Sequence, residues 1–273
     1  MDSQRDNAAV SGAKAVGSGE LNVMPRILIL GGTSEARGLA ERLAGRAGLD
    51  ITLSLAGRTM SPAALPVPVR SGGFGGVAGL ADYLRQERID ILIDATHPYA
   101  SKISANAVAA AREARVPFVA LRRPPWSKMP GDHWTEVDDV RAAVAALGGV
   151  PRRVFVALGR NELVPFVAAP QHHYLFRSVD PVEPPLPLPQ VKYVTGRGPF
   201  SEADDRVLLT LHRLDAVVAK NSGGSATYGK IAAARALGIE VVMLRRPPMP
   251  DAPTVSTVDE AVAWLDHALT FTH

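Results

Sequence analysis

The run Gly31-Gly32-Thr33-Ser34-Glu35-Ala36-Arg37 is the first place where residue types and spacing could do chemistry. It joins a branched apolar stretch, Ile27 to Leu30, to an amphipathic one, Glu35 to Ala47. Glycines between a strand and a helix leave free amides at the positive end of the helix dipole, with no side chain to keep an anion away. Thr33 and Ser34 add hydroxyl donors, so Gly31, Gly32, Thr33 and Ser34 form a candidate cradle for a pyrophosphate. The spacing departs from G-x-G-x-x-G, and a plain capped turn would read the same way. Glu35 suits a helix cap better than a phosphate contact, because like charges repel.

Three further clusters belong beside it. In NAD enzymes an acid about 20 residues past the glycines holds the ribose 2′-hydroxyl. Here that stretch reads Ala56-Gly57-Arg58-Thr59, with no acid and one guanidinium. A 2′-phosphate would pair with Arg58 in two-point fashion, which favours NADP over NAD; a solvated loop arginine is the alternative. Asp94-Ala95-Thr96-His97-Pro98-Tyr99-Ala100 follows an apolar run, where a nicotinamide would lie. Thr96 and His97 are cofactor candidates there, and His97, Tyr99 and Asp94 are candidate proton donors by position only. The equivalent place in the second half holds Lys220-Asn221-Ser222-Gly223-Gly224-Ser225, a cation with hydroxyls and an amide nest suited to a carboxylate, or else a helix cap with a solvated lysine. Lys192 and Arg197 flank another glycine loop, and Gly72-Gly73-Phe74-Gly75-Gly76 forms a third; such loops can close over a flat ligand or be plain turns.

Other chemistries are set aside. His172 and His173 are adjacent and would point to opposite faces of a strand, so no metal site is expected. With no cysteine there is no disulfide and no thiol nucleophile. No Walker or G-x-S-x-G motif occurs, and Tyr99 and Lys102 are one residue too close for the short-chain dehydrogenase pair.

The elements that must position these groups alternate. Apolar runs at 27–30, 51–56, 89–93 and 117–121 are separated by helical stretches at 35–47, 80–88 and 104–114. The second half repeats the layout. Val154 to Glu162 echoes Leu28 to Glu35, and Ala232-Ala233-Ala234-Arg235 then Leu244-Arg245-Arg246-Pro247-Pro248 echoes Ala109 to Arg112 then Leu121-Arg122-Arg123-Pro124-Pro125. Acidic helix starts follow both, at Val137-Asp138-Asp139 and Val258-Asp259-Glu260. The expected fold is therefore α/β: two Rossmann-like lobes with parallel sheets and a ligand cleft between them, spanning 24–150 and 151–273. Residues 1–23 read as a disordered tail without the apolar core of a secretory signal. The arginines of the two Arg-Arg-Pro-Pro runs are either solvated at proline-stiffened strand exits or facing the cleft.

The chain has 273 residues, 47% of them hydrophobic and 21% charged, as a globular protein should. A net charge of +3 and no basic stripe with aromatic platforms argue against a nucleic-acid partner, and no apolar run is long enough for a membrane span. A cytoplasmic protein acting on a small anionic molecule is expected.

Taken in order, Gly31 to Arg37, Gly72 to Gly76, Asp94 to Ala100, Thr195-Gly196-Arg197-Gly198-Pro199-Phe200 and Lys220 to Gly224 resemble the motif series of the precorrin-6A reductase family. The resemblance runs from Met24 to the last strand. It implies reduction of one double bond of the tetrapyrrole precorrin-6A to precorrin-6B in cobalamin biosynthesis, with NADPH as hydride donor. It also implies a carboxylate-rich substrate facing Lys192, Arg197, Lys220, Ser222, Gly223 and Gly224. An NADPH-dependent oxidoreductase or epimerase of a small substrate, and a non-enzymatic NADP sensor, are the alternatives. A metal-free or cobalt-bearing substrate, the proton donor and the oligomeric state stay open, a monomer being sufficient.

Overall fold

A computed structural model describes residues 24–57 and 65–270, so the expected tail lies outside the described residues. The first sheet takes β1 (Arg26–Leu30), β2 (Asp50–Leu55), β3 (Val69–Ser71), β4 (Ile91–Asp94) and β5 (Phe118–Leu121), with helices α1 (Ser34–Ala44), α2 (Gly76–Gln86) and α3 (Ser101–Ala114) between them. The second takes β6 (Trp134–Val137), β7 (Arg153–Ala157), β8 (His173–Ser178), β9 (Val191–Thr195), β10 (Ala216–Lys220) and β11 (Glu240–Leu244), with α4 (Val140–Ala146), α5 (Glu202–Leu211) and α6 (Gly229–Leu237). Last come β12 (Thr254–Val255) and α7 (Val258–Leu269). The central strands are apolar on both faces because helices cover both, as parallel sheets require.

The strand orders are β12-β5-β4-β1-β2-β3 and β6-β11-β10-β7-β8-β9, all pairings parallel. The two sheets are copies of one another, but each borrows its outer strand. β6 leaves the first lobe to pair with β11, Val137 opposite Leu244, and β12 returns to pair with β5, Val255 opposite Leu121. The following helices go with them. Val137, Ala143, Val144 and Leu147 pack with Val154, Val156 and Phe176, whereas Ala261 and Leu265 pack with Ile27, Leu39 and Leu43. The division at residue 150 is thus corrected: 134–147 belong to the second lobe and 254–269 to the first. Both swapped helices start alike, Asp139 accepting from the Ala142 amide and Thr257 from the Glu260 amide.

Candidate functional site

The carboxyl ends of the two sheets face each other. Beyond β4, the Tyr99 hydroxyl donates to the Leu244 carbonyl at the end of β11 and accepts from the Asn221 amide at 2.8 Å. Asn221 in turn accepts from the Trp126 amide at 2.7 Å and donates to the Trp126 carbonyl at 2.9 Å, while the indole donates to the Gly224 carbonyl at 2.7 Å. The two Arg-Arg-Pro-Pro runs are the crossovers. Their second arginines face the interface: Arg123 donates to the Ser222 carbonyl at 2.7 Å and pairs with Glu35, and Arg246 donates to the carbonyls of Asn221 and Arg123, each at 2.8 Å. This closes the β4–β5 side against β10–β11. The turns after β1, β2 and β3 and those after β7, β8 and β9 stand at the same carboxyl ends of the two sheets, the place where parallel α/β sheets take ligands, and the region between them is the candidate crevice.

On the first-lobe side, the Gly31 amide donates to the Ser54 carbonyl at 2.8 Å, and a Cβ there would lie 2.7 Å from Leu53 Cδ1. Gly32 has φ +116°, which a side chain would strain. Thr33 Oγ1 is committed, accepting from the Ala36 amide at 3.0 Å and donating to the Ala95 carbonyl at 2.8 Å, and Ser34 donates to Glu35 at 3.1 Å. An anion at this turn would therefore meet the backbone amides that open α1 more than hydroxyls. Arg58 lies outside the described residues. Arg70, which sequence reasoning passed over, stands in the middle of β3. It donates to the carbonyls of Gly72 at 2.6 Å and Gly73 at 2.9 Å, with its guanidinium 3.8 Å from the centre of the Phe74 ring. The Gly72–Gly76 loop is held by that arginine, whose signal was its place two residues before the glycines.

Asp94 does not face the crevice. It is 1% exposed and accepts from the Thr96 amide at 3.1 Å, the Thr96 hydroxyl at 2.7 Å and the Ser104 hydroxyl at 2.5 Å. This buried carboxylate shapes the β4 exit, which corrects its reading as a proton donor. Tyr99 is likewise spent on the lobe contact, and burial pushes its hydroxyl up to about 12. His97 is half-buried above them. Its Nδ1 accepts from the Tyr99 amide at 3.3 Å. Burial, with Arg123, Lys220, Arg246 and Lys230 nearby, pushes the imidazole down to about 3, so it is neutral at pH 7 and no ready acid.

The second-lobe expectations divide. Lys220 reaches the crevice side but is paired, its Nζ 2.5 Å from Glu162 Oε2 and 4.8 Å from the centre of the Tyr99 ring, so it is not an unpaired carboxylate anchor. Ser222 is buried. Gly223 and Gly224, at φ +68° and +70°, pack so closely on the first-lobe crossover that a Cβ would meet the Pro124 carbonyl oxygen at 2.1 Å and Arg123 Cδ at 2.8 Å. These glycines serve lobe contact, not an open nest. Lys192 is misplaced altogether. It is the second residue of β9 and lines a cavity at the amino edge of the sheet with Arg153, His173 and His212, away from the crevice. Arg197 is exposed on the turn after β9, as expected. Arg160 was missed. Laying β7 on β1 residue by residue puts Gly159 on Gly32, Arg160 on Thr33 and Glu162 on Glu35, so an exposed cation stands where the first lobe has its cradle.

The family model for the precorrin-6x reductase CbiJ/CobK matches residues 26–266. The chain belongs to this family. A precorrin-6A reductase of a Sinorhizobium species is 57% identical over 90% of this chain and 94% of its own length. That of Rhodobacter capsulatus is 50% identical over 90% and 98%. A solved structure of a CobK precorrin-6A reductase superposes with a TM-score of 0.86 at 49% identity, covering 90% of this chain and 97% of the other. The expected oxidoreductase activity, precorrin-6A reduction in cobalamin biosynthesis, stands with the family, as does the fold of two parallel α/β sheets. Among the described residues no helix is long and apolar enough to cross a membrane.

Proposed function

We propose that NADPH is the reductant of precorrin-6A here, held on the first lobe with its pyrophosphate at Gly31, Gly32, Thr33 and Ser34. Arg58 takes the 2′-phosphate, and Thr96 and His97 border the nicotinamide. The observation that carries this is the β1 turn at the amino end of α1: Gly32 takes φ +116°, a backbone conformation that a side chain would strain, and the space beside it is open. NADPH supplies the hydride, and the protein's task is alignment.

The substrate's acidic side chains face the second lobe. Arg160 and Arg197 follow β7 and β9 at the carboxyl ends of those strands. Arg123, Lys220, Arg246 and Lys230 add the positive field that His97 registers, which draws a polyanion into the crevice. A neutral His97 leaves the oxidised nicotinamide without a competing charge. Relatives named for the metal-free substrate support precorrin-6A over its cobalt analogue.

Purified enzyme mixed with both ligands should lose nicotinamide absorbance and shift the macrocycle's visible spectrum together. Arg58→Ala should raise the KM for NADPH roughly tenfold to a hundredfold, the loss of a charge-assisted pair of about 1.5–3 kcal/mol, and leave NADH use nearly unchanged. Equal losses for both cofactors would remove Arg58 from the 2′-phosphate site.

A further inference from the structure

The duplicated fold offers an internal comparison at the amino ends of its strands. In the first lobe Arg26 opens β1. Its amide donates to Asp90 at 2.7 Å and its guanidinium to the Glu87 carbonyl at the end of α2. The same guanidinium pairs with Asp50 on β2 at 3.0 Å and with the Glu87 carboxylate at 3.2 Å. The second lobe repeats the backbone contacts one for one. Arg153 opens β7, its amide donates to Asp215 at 3.0 Å, and its Nε donates to the His212 carbonyl at the end of α5 at 2.7 Å. The charges are not repeated. Arg153 stands opposite His173 on β8 as Arg26 stands opposite Asp50 on β2, and His212 takes the place of Glu87 at the helix end. Two imidazoles occupy the positions of two carboxylates.

A further cation joins them. Lys192 lies opposite Leu175, and strand alternation puts it on the same face as His173 and Arg153. The four basic side chains line one cavity of about 180 Å³ together with the buried Leu175 and Leu214, and no acid lines it. Asp215, the carboxylate of this segment, is held by Arg152 Nε at 3.0 Å and by the Arg153 amide. Among the described residues no counter-ion or side-chain hydrogen bond reaches His173, His212, Lys192 or the Nη groups of Arg153. Helix polarity does not explain the cluster. The carboxyl end of α5 favours a cation, but so does that of α2, where one arginine meets it and acids surround that arginine. Basic groups gathered beside apolar side chains repel one another, and the partner this corner lacks is an anion.

We propose that this corner binds a small oxyanion of the phosphate class, inorganic phosphate or the phosphoryl group of a small ester, where the first lobe has its own carboxylates. Arg153 offers its two Nη groups as a fork, and Lys192 and the two imidazoles add donors from three further elements. Donors on four elements fit a tetrahedral oxyanion, whereas the fork alone serves a planar carboxylate. The volume sets the size of the ligand. Pockets for drug-sized molecules begin at about 300 Å³, and this one is smaller. The site stands at the amino edge of the second sheet, apart from the crevice, and does not depend on how the crevice is read.

The test titrates the full chain with inorganic phosphate by calorimetry, in phosphate-free buffer with saturating NADP⁺ to fill the turn after β1. One phosphate per chain should bind. His173→Asp with His212→Glu restores the pair that the first lobe accommodates, and should weaken phosphate binding by roughly a hundredfold or more. Lys192→Gln should weaken it roughly tenfold. Glycerol 3-phosphate binding at least as tightly as phosphate assigns the site to an ester, and weaker binding assigns it to the free ion. Acetate that displaces phosphate at equal concentration overturns the phosphate class. Absence of saturable binding, or an affinity unchanged in the double variant, overturns the site itself. If the double variant fails to fold, Lys192→Gln decides. A chain that binds phosphate at this corner but never binds NADP⁺ would instead overturn the reading of the crevice.

Discussion

Replacing Asp94 by Asn separates a structural carboxylate from a catalytic one. The amide keeps one acceptor oxygen, but its NH2 meets the Ser104 hydroxyl, which was donating at 2.5 Å, and the bonds from Thr96 lose charge assistance. Arg122 Nη2, 3.9 Å away, loses its counter-ion while Nε and Nη2 already have no hydrogen-bond partner. A hydrogen bond to a charged group is worth roughly 1.5–3 kcal/mol against about 1 for a neutral one, so three such changes at a buried site should cost about 2–4 kcal/mol. Ser104→Ala is the matched control. Ser104 is fully buried and cannot touch a ligand, so its loss should cost about 1–2 kcal/mol through the same cluster. Urea unfolding in the absence of ligands gives the stabilities by linear extrapolation. Turnover is then measured well below both unfolding transitions. Both variants should lose stability and keep kcat within about threefold of wild type. A fall in kcat of roughly a hundredfold at an unchanged urea midpoint for Asp94→Asn alone would return Asp94 to proton transfer.

Two further outcomes are expected. Ending the chain after residue 250 removes β12 and α7, stripping Ala261 and Leu265 from the core that holds Leu39 and Leu43. The cost should exceed the roughly 2–5 kcal/mol of one buried Leu→Ala change, and NADPH binding, read by fluorescence, should vanish; a truncated chain that still binds would mean the first lobe does not depend on its borrowed strand. For His97, the folded-state value of about 3 lies below the usual 6.5, so the unfolded chain takes up the proton first. Its contribution is full above pH 6.5 and is lost as pH falls toward 3. By pH 5 the wild type should have lost about 2 kcal/mol that His97→Gln does not lose, and parallel pH–stability curves would mean that the imidazole is not held neutral.

The alternation of strands and helices was legible because the inner strands are unbroken apolar runs, such as Ile27 to Leu30 and Ala216 to Ala219. The outer strands were not. β3, β6 and β12 are two to four residues long and mostly exposed, so hydrophobic pattern carries little signal for them. The exchange between lobes was hidden for a related reason. Pattern identifies a strand followed by a capped helix at both 134–146 and 254–269 but does not say which sheet receives it, and the extended proline crossovers can reach either. Among site residues, spacing placed Gly31 and Gly32 in the turn after β1 and His97 just beyond β4, as the structure has them. It could not see that Lys220 would meet Glu162, because the two are far apart in sequence. Lys192 was lost through position along a strand: at the entrance to β9 instead of its exit, a cation faces the opposite edge of the sheet.

The duplication leaves different groups at the equivalent turns of the two lobes. In the first, the turn after β1 keeps Gly31 and Gly32, gives the Gly31 amide to the Ser54 carbonyl and ties the Thr33 hydroxyl back to Ala95, so an anion would be met by the amides that open α1. The equivalent turn after β7 is a 3-10 turn, Arg160–Glu162, in which the Glu162 carboxylate accepts from the Gly159 amide at 3.2 Å. That carboxylate occupies the amide an anion would need, and Lys220 neutralises it from β10. The second lobe has therefore exchanged a backbone cradle for a side-chain cation, Arg160. Backbone amides at a turn suit a phosphate of one shape, whereas a long arginine side chain suits carboxylates spread around the rim of a large ring, which is the division of roles the proposed function calls for. The interface enforces that division of roles. Arg123 and Arg246, at matching points of the two copies, are both spent on carbonyls that lock the crossovers together, so in the proposed function recognition is left to the other turns.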